Sequence, residues 1–180
     1  MTEVRDPDGA RRFESLLMPH LAAGYNLARW LTRNEHDAQD LVQDAYLRAF
    51  RAFDGYRGGN PRAWLLAIVR NTCFAWLRQQ RSHPVDSPPD DDADELADDP
   101  AAGPEAQVLR HADSQLLRGA LEELPVEFRE AVILRELEGL SYKEIADVVG
   151  APLGTVMSRL SRGRRQLEQV IRRRTGGSDT

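Results

Sequence analysis

The chain has 180 residues with 24 Lys and Arg against 29 Asp and Glu, so its formal charge is −5, and 41% of it is apolar. That length holds one ordinary domain or two small ones, with modest cores. No apolar run of about 18 residues could span a membrane, and MTEVRDPDGARRF carries no secretory pattern, which points to the cytoplasm without membrane insertion. The single Cys73 excludes an internal disulfide, and four scattered histidines offer no zinc-ligand spacing, so no metal or cofactor is expected.

The average charge conceals three regions. Residues 1–83 carry twelve Arg and nine acids, residues 84–105 nine acids and no base, and residues 106–180 twelve bases and eleven acids. The middle stretch also holds five of the ten prolines. With so little to bury it reads as an acidic disordered linker over 83–105, joining modules at 10–82 and 106–175. About 24 linker residues reach at most about 80 Å and average about 27 Å.

In the first module Phe13, Leu16, Leu17, Leu21, Leu27 and Leu31 recur at helical steps, and Asn34 can cap a second helix bearing Leu41, Val42, Ala45, Ala49 and Phe53. A Gly-rich turn, residues 54–60, ends that helix. Pro61 then suits the first turn of a third, through Trp64, Leu65, Ile68, Val69, Thr72, Trp76 and Leu77. A three- or four-helix bundle follows. Trp64 and Trp76 fit the core, and Cys73 is a small buried filler.

The second module starts with Val108, Leu109, Leu116, Leu117, Ala120, Leu121 and Leu124, stops at Pro125, and resumes with Phe128, Val132, Ile133 and Leu137. Ser141 and Glu144 form a capping box for a short helix that Gly150 breaks. Thr155 can start a last helix with Val156, Leu160, Gly163, Leu167 and Val170 or Ile171 inward. The order is a helix-turn-helix, and the whole chain reads as all-α, two small helical domains without a sheet.

From Thr155 to Arg174 the last helix carries seven Arg and one acid, Glu168. Its face opposite Val156, Leu160 and Leu167 presents Ser158, Arg162 and Arg165, a pattern suited to the major groove. A second signal lies on the third helix, where Arg70, Phe74, Arg78 and Arg81 fall at four- and three-residue steps beside Asn71, with Tyr56 in the turn upstream. Arginines interleaved with aromatics suit single-stranded DNA, bases stacking on rings while cations follow the backbone.

These residues bear a family likeness. Residues 35–50, EHDAQDLVQDAYLRAF, resemble region 2.2 of the sigma-70 family of RNA polymerase sigma factors, and residues 61–72, PRAWLLAIVRNT, resemble its regions 2.3 to 2.4. Residues 121–125, 128–134, 138–146 and 154–160 resemble region 4. The chain is thus similar to the minimal extracytoplasmic-function (ECF) type. The resemblance implies a non-enzymatic factor that binds bacterial core polymerase, through its beta-prime clamp and beta flap, and directs promoter-specific initiation. It places Asp40, Leu41, Gln43 and Asp44 on the polymerase. Tyr56, Arg70, Asn71, Phe74 and Arg78 fall at the minus-10 strand, and Thr155, Met157, Ser158, Arg159, Ser161, Arg162 and Arg165 at the minus-35 element. It also implies an anti-sigma partner and a linker threaded near the RNA exit path. Two other functions fit parts of the sequence. A helix-turn-helix regulator binding duplex DNA by itself lacks a preceding receiver or ligand domain, and a metal enzyme using Asp90 to Asp94 lacks rigidly held carboxylates.

Overall fold

A computed structural model describes residues 7–83 and 103–176, so most of the predicted linker, and Asp90 to Asp94 within it, lies outside the described residues. The first predicted helix is two. Pro19 has no N–H to continue the ladder, and the chain runs as α1 (Pro7–Leu17), a 3-10 turn (Met18–His20) and α2 (Leu21–Thr32). Asn34 then accepts the Asp37 N–H at 2.9 Å and starts α3 (Glu35–Ala52), as its cap position predicts. After a second 3-10 turn (Phe53–Gly55), Asn60 accepts the N–H groups of Arg62 and Ala63 at 3.0 and 3.3 Å and opens α4 (Pro61–Ser82).

Helices α2, α3 and α4 pack on one another and α1 lies against α4. Phe13 is the hub, buried with its ring edge-on to Tyr46, Phe50 and Phe53 at 4.9, 5.0 and 5.3 Å. Such pairs add about 0.5–1.5 kcal/mol each beyond burial. Cys73 is the expected filler. It is fully buried, and burial with the neighbouring Glu130 charge pushes its thiol up to about 12.

In the second module α5 (Pro104–Glu122) begins two residues before the predicted start at 106, because Pro104 occupies a first-turn position where its missing N–H costs nothing. Helix α6 (Val126–Val132) widens into a π-turn (Ile133–Leu137), which the sequence pattern did not announce. Helix α7 (Tyr142–Val149) carries the predicted capping box, with Ser141 and Glu144 each accepting the other's N–H. Gly150 ends it at φ 65°, a left-handed turn that favours glycine. The last helix, α8 (Leu153–Arg174), starts at Leu153 rather than Thr155, since the Pro152 carbonyl already accepts from Thr155 and Val156 at 3.0 and 3.2 Å. Val156, Leu160, Gly163 and Val170 are buried as predicted, and Leu167 is half-buried. No strand occurs among the described residues.

The cores of the two modules are continuous. Ile133, Leu134, Leu140, Ile145, Val156 and Leu160 join the same cluster as Leu27, Leu31, Leu65, Leu66 and Val69. Helix α4 packs on α7 and α2 on α6. Two modules read as separate along the sequence therefore meet over an apolar seam.

Gly163 sets how closely α8 approaches α6. A Cβ there would lie 2.9 Å from Val132 Cγ2, closer than packed atoms tolerate, and a tight 3.2 Å from the Phe128 carbonyl. A Gly163→Ala change gains about 1 kcal/mol of helix propensity and loses about 1–3 kcal/mol to overpacking. Urea denaturation should show a net loss of about 1 kcal/mol, whereas Gly154→Ala, which meets nothing within 4 Å, should show none.

Candidate nucleic-acid and polymerase interfaces

Three surfaces hold the residues singled out by the sequence, and the structure treats them differently. On α8, Met157, Ser158, Ser161, Arg162 and Arg165 are all exposed along one side. Arg162 and Arg165 pair with no acid among the described residues, while Arg164, Arg172, Arg173 and Arg174 are held by acids. Arg164 donates to Glu136 at 2.9 Å, Arg172 to Glu168 at 2.6 Å, and Arg173 and Arg174 to Glu123. Thr155 and Arg159 are half-buried, and Arg159 lies close enough to Glu130 to favour its charged form. The exposed face of α8 is thus a strip of small hydroxyls and two unpaired guanidinium groups, a set that can reach base edges and phosphates.

The expected single-strand surface on α4 is partly occupied by the second module. Arg70 Nε donates to Glu130 Oε1 at 2.6 Å, and its guanidinium lies over the Phe74 ring at 3.9 Å from the centroid. Neither side chain is free to receive a base in this arrangement. Tyr56 donates its hydroxyl to the Gly59 carbonyl at 2.8 Å, and its ring stacks on Phe53 and lies 5.2 Å from Trp64, so it is half-packed into the bundle. Asn71 and Arg78 remain exposed. Trp64 and Trp76 are half-buried, with Trp64 packed against the core as predicted.

On α3, Asp40 and Gln43 are exposed and Leu41 and Asp44 half-buried, Asp44 accepting from Arg48 at 3.0 Å. One turn beyond lies Leu47, half exposed with no apolar function in the bundle. Leu47 adjoins the face of Asp40, Gln43 and Asp44, and its helical position leaves it outside the buried stripe of Val42, Ala45 and Ala49.

The contacts between the modules were not foreseen. Arg62 donates to Glu138 Oε2 at 2.9 Å and also to its carbonyl. Asn60 Nδ2 donates to Glu144 Oε1 at 2.7 Å, which joins the cap of α4 to the capping box of α7. Hydrogen bonds from Ser141 and Asn60 hold the Glu144 carboxyl below the usual range. Arg33 Nη2 donates to Glu122 Oε2 at 3.3 Å. The deepest pair is Arg70 with Glu130, whose side chain has no solvent exposure. Burial pushes the Glu130 carboxyl up, and Arg70 pulls it back down.

Family signatures agree with this division. The one described as sigma-70 region 2 matches residues 16–83, covering the α2 to α4 bundle, and the one described as sigma-70, region 4 matches residues 114–167, covering the helix-turn-helix. The ECF RNA polymerase sigma-E factor of Escherichia coli is 37% identical over 143 residues, 75% of this chain and 74% of that protein. This chain belongs to the sigma-70 family, in its ECF branch. The ECF sigma factor SigE of Mycolicibacterium smegmatis is 39% identical over 162 residues, 88% of this chain, though this sigma factor spans only 61% of that protein's length. Among solved structures, the sigma factor RpoE of Bartonella quintana in complex with the anti-sigma factor NepR superposes with a TM-score of 0.68 at 28% identity, covering 90% of this chain and 98% of that one. CnrH in complex with the cytosolic domain of CnrY gives 0.62 at 26%, covering 90% and 88%.

The Arg70–Glu130 pair of this sigma factor can be tested by removing one partner or both. Arg70→Met strands a buried carboxylate and should cost about 3 kcal/mol in urea denaturation, because an uncompensated buried charge loses both its partner and its hydration. The double change Arg70→Met with Glu130→Met should cost less than about 1 kcal/mol. Equal losses in the two proteins would show that Arg70 does not hold Glu130.

Proposed function

We propose that this chain binds bacterial core RNA polymerase in the cytoplasm and directs promoter-specific transcription initiation. The observation that carries the reading is the exposed strip Ser158, Ser161, Arg162 and Arg165 on the second helix of a helix-turn-helix, in a chain whose two modules match regions 2 and 4 in order. The α8 strip reads the minus-35 element in the major groove. Its Arg side chains can take guanine edges bidentately, and the remaining charge takes phosphates. Helix α4 and the turn before it capture the minus-10 strand, Asn71 and Tyr56 receiving an unstacked base. Flipping costs a few kcal/mol, and stacking at about 1–3 kcal/mol per base offsets most of it. The α3 face of Asp40, Leu41, Gln43 and Asp44, with Leu47 beside it, docks on the polymerase. No catalytic chemistry is assigned to the chain.

The contacts between modules bear on this mechanism. Arg70 cannot serve Glu130 and a promoter strand together, so minus-10 capture requires the α4 and α6 surfaces to part. Exchange of one anionic partner for another keeps the cost of parting modest, since the guanidinium passes from a carboxylate to phosphate. An anti-sigma partner is part of the proposal, supported by the RpoE relative solved with NepR.

Reconstituted transcription tests the reading. Added to bacterial core polymerase, the chain should support initiation from promoters that core alone does not use, and a chain that neither binds core nor initiates anywhere would sink the proposal. Arg162→Ala should lower promoter use about tenfold, one guanine or phosphate contact being worth about 1–3 kcal/mol, with core binding unchanged. Asp44→Ala should weaken core binding, measured by pull-down on immobilised core, and leave α8 able to bind DNA.

A further inference from the structure

The N-terminal turns of α8 expose two large apolar side chains, Leu153 and Met157, at 48% and 51% of their full accessible surface. Four residues apart on a helix, they share one edge. That edge borders the strip of Ser158, Ser161, Arg162 and Arg165, so it is continuous with the surface assigned above to the minus-35 element. The rest of the segment is short or turned away. Gly154 has no side chain, Thr155 is half-buried, Val156 is buried, and Ser158 reaches only a short distance. The first charged residue, Arg159, is half-buried and lies in the field of Glu130, so the first exposed guanidinium is that of Arg162.

No side chain capable of bidentate hydrogen bonding therefore stands over the bases that face this end of the helix. Beside the single Ser158 hydroxyl, this end offers apolar contact, and in the major groove only thymine presents an apolar group, its C5-methyl. Methionine suits that task because its unbranched, polarizable thioether adapts to an uneven surface.

We infer that Leu153 and Met157 form an apolar edge that selects thymine in the minus-35 element by contact with its C5-methyl, with Met157 the specificity-determining residue. The inference rests on the assignment of α8 to that element. It makes the sigma factor's preference at one base pair depend on a methyl group rather than on a hydrogen bond. Replacing Met157 by Arg would then exchange thymine for guanine, whose O6 and N7 accept a guanidinium fork.

The experiment uses holoenzyme reconstituted from the full chain and bacterial core polymerase, with a promoter library randomised over the minus-35 region. Wild-type holoenzyme should enrich thymine, on one strand or the other, at a position where Met157→Arg holoenzyme enriches guanine. In the selected promoter, replacing that thymine by deoxyuridine removes only the methyl. It should weaken wild-type holoenzyme binding about threefold to fivefold, the worth of one buried methyl-sized group, and leave Met157→Ala holoenzyme unaffected. Because Met157 is exposed, these changes leave the fold intact. A selected motif that is the same in wild-type and Met157→Arg, or a wild-type holoenzyme indifferent to deoxyuridine at every minus-35 thymine, would overturn the inference while leaving the sigma assignment in place. A wild-type holoenzyme that enriches no motif at all would overturn both.

Discussion

Two consecutive buried charges tie this molecule together. Arg129 and Glu130 sit side by side on α6, both buried, and they reach in different directions. Arg129 donates to the carbonyls of Leu121 and Leu124 at 3.1 Å, of Glu122 at 3.4 Å and of Trp30 at 3.0 Å. It therefore satisfies the end of α5, where the last carbonyls of a helix lack partners, and binds that end to α2 in the other module. Burial and the nearby Arg33 charge lower its pKa to about 10, far enough above neutrality that the guanidinium stays charged. Glu130 takes the opposite course and holds Arg70 on α4. Buried ions of this kind contribute little net stability compared with apolar residues of the same size, but removing either partner is costly. Their effect is to fix which surfaces meet.

That constraint divides the candidate site residues into two groups. The α8 strip and the α3 face point away from the seam and remain accessible. The α4 surface meets the second module, and Arg70, the residue best suited to a nucleic-acid backbone, is the one that Glu130 occupies. An apolar seam alone would hold the modules together without discriminating which residues are covered. The ion pairs and the Asn60–Glu144 hydrogen bond add that discrimination at the cap of α4, directly beside the turn that holds Tyr56.

The all-helical architecture was legible because helix periodicity and capping are local. Asn34, Pro61, the Ser141 and Glu144 box and Gly150 each act within four residues of themselves, and each appears in the structure as its chemistry predicts. The break at Pro19 was also local but was masked by a stripe that keeps its period across the turn. The π-turn after α6 left no sign, since Ile133 and Leu134 are buried in either helical form. The exposed strip of α8 could be read as the face opposite the buried Val156 and Leu160 on an Arg-rich helix. The seam could not, because Arg129, Glu130, Arg62 and Glu138 look in sequence like ordinary surface charges, and what makes them otherwise is a partner 60 to 99 residues away. Arg70 shows the limit most sharply. Its spacing from Phe74 and Arg78 marks a cationic aromatic surface, and nothing local tells whether a phosphate or a buried carboxylate will claim it.

The central claim is that the seam is closed in the free chain and opens on the promoter, releasing Arg70. The most direct test is a distance across it, with fluorophores on Gln79→Cys in α4 and Gln169→Cys in α8. Gln79 and Gln169 are both exposed, and the native Cys73 is buried with its thiol pushed up to about 12, so it should not compete for label. Energy transfer should be lower in the complex with core polymerase and promoter DNA than in the free protein. Transfer that stays the same in the free chain and in that complex would contradict the account.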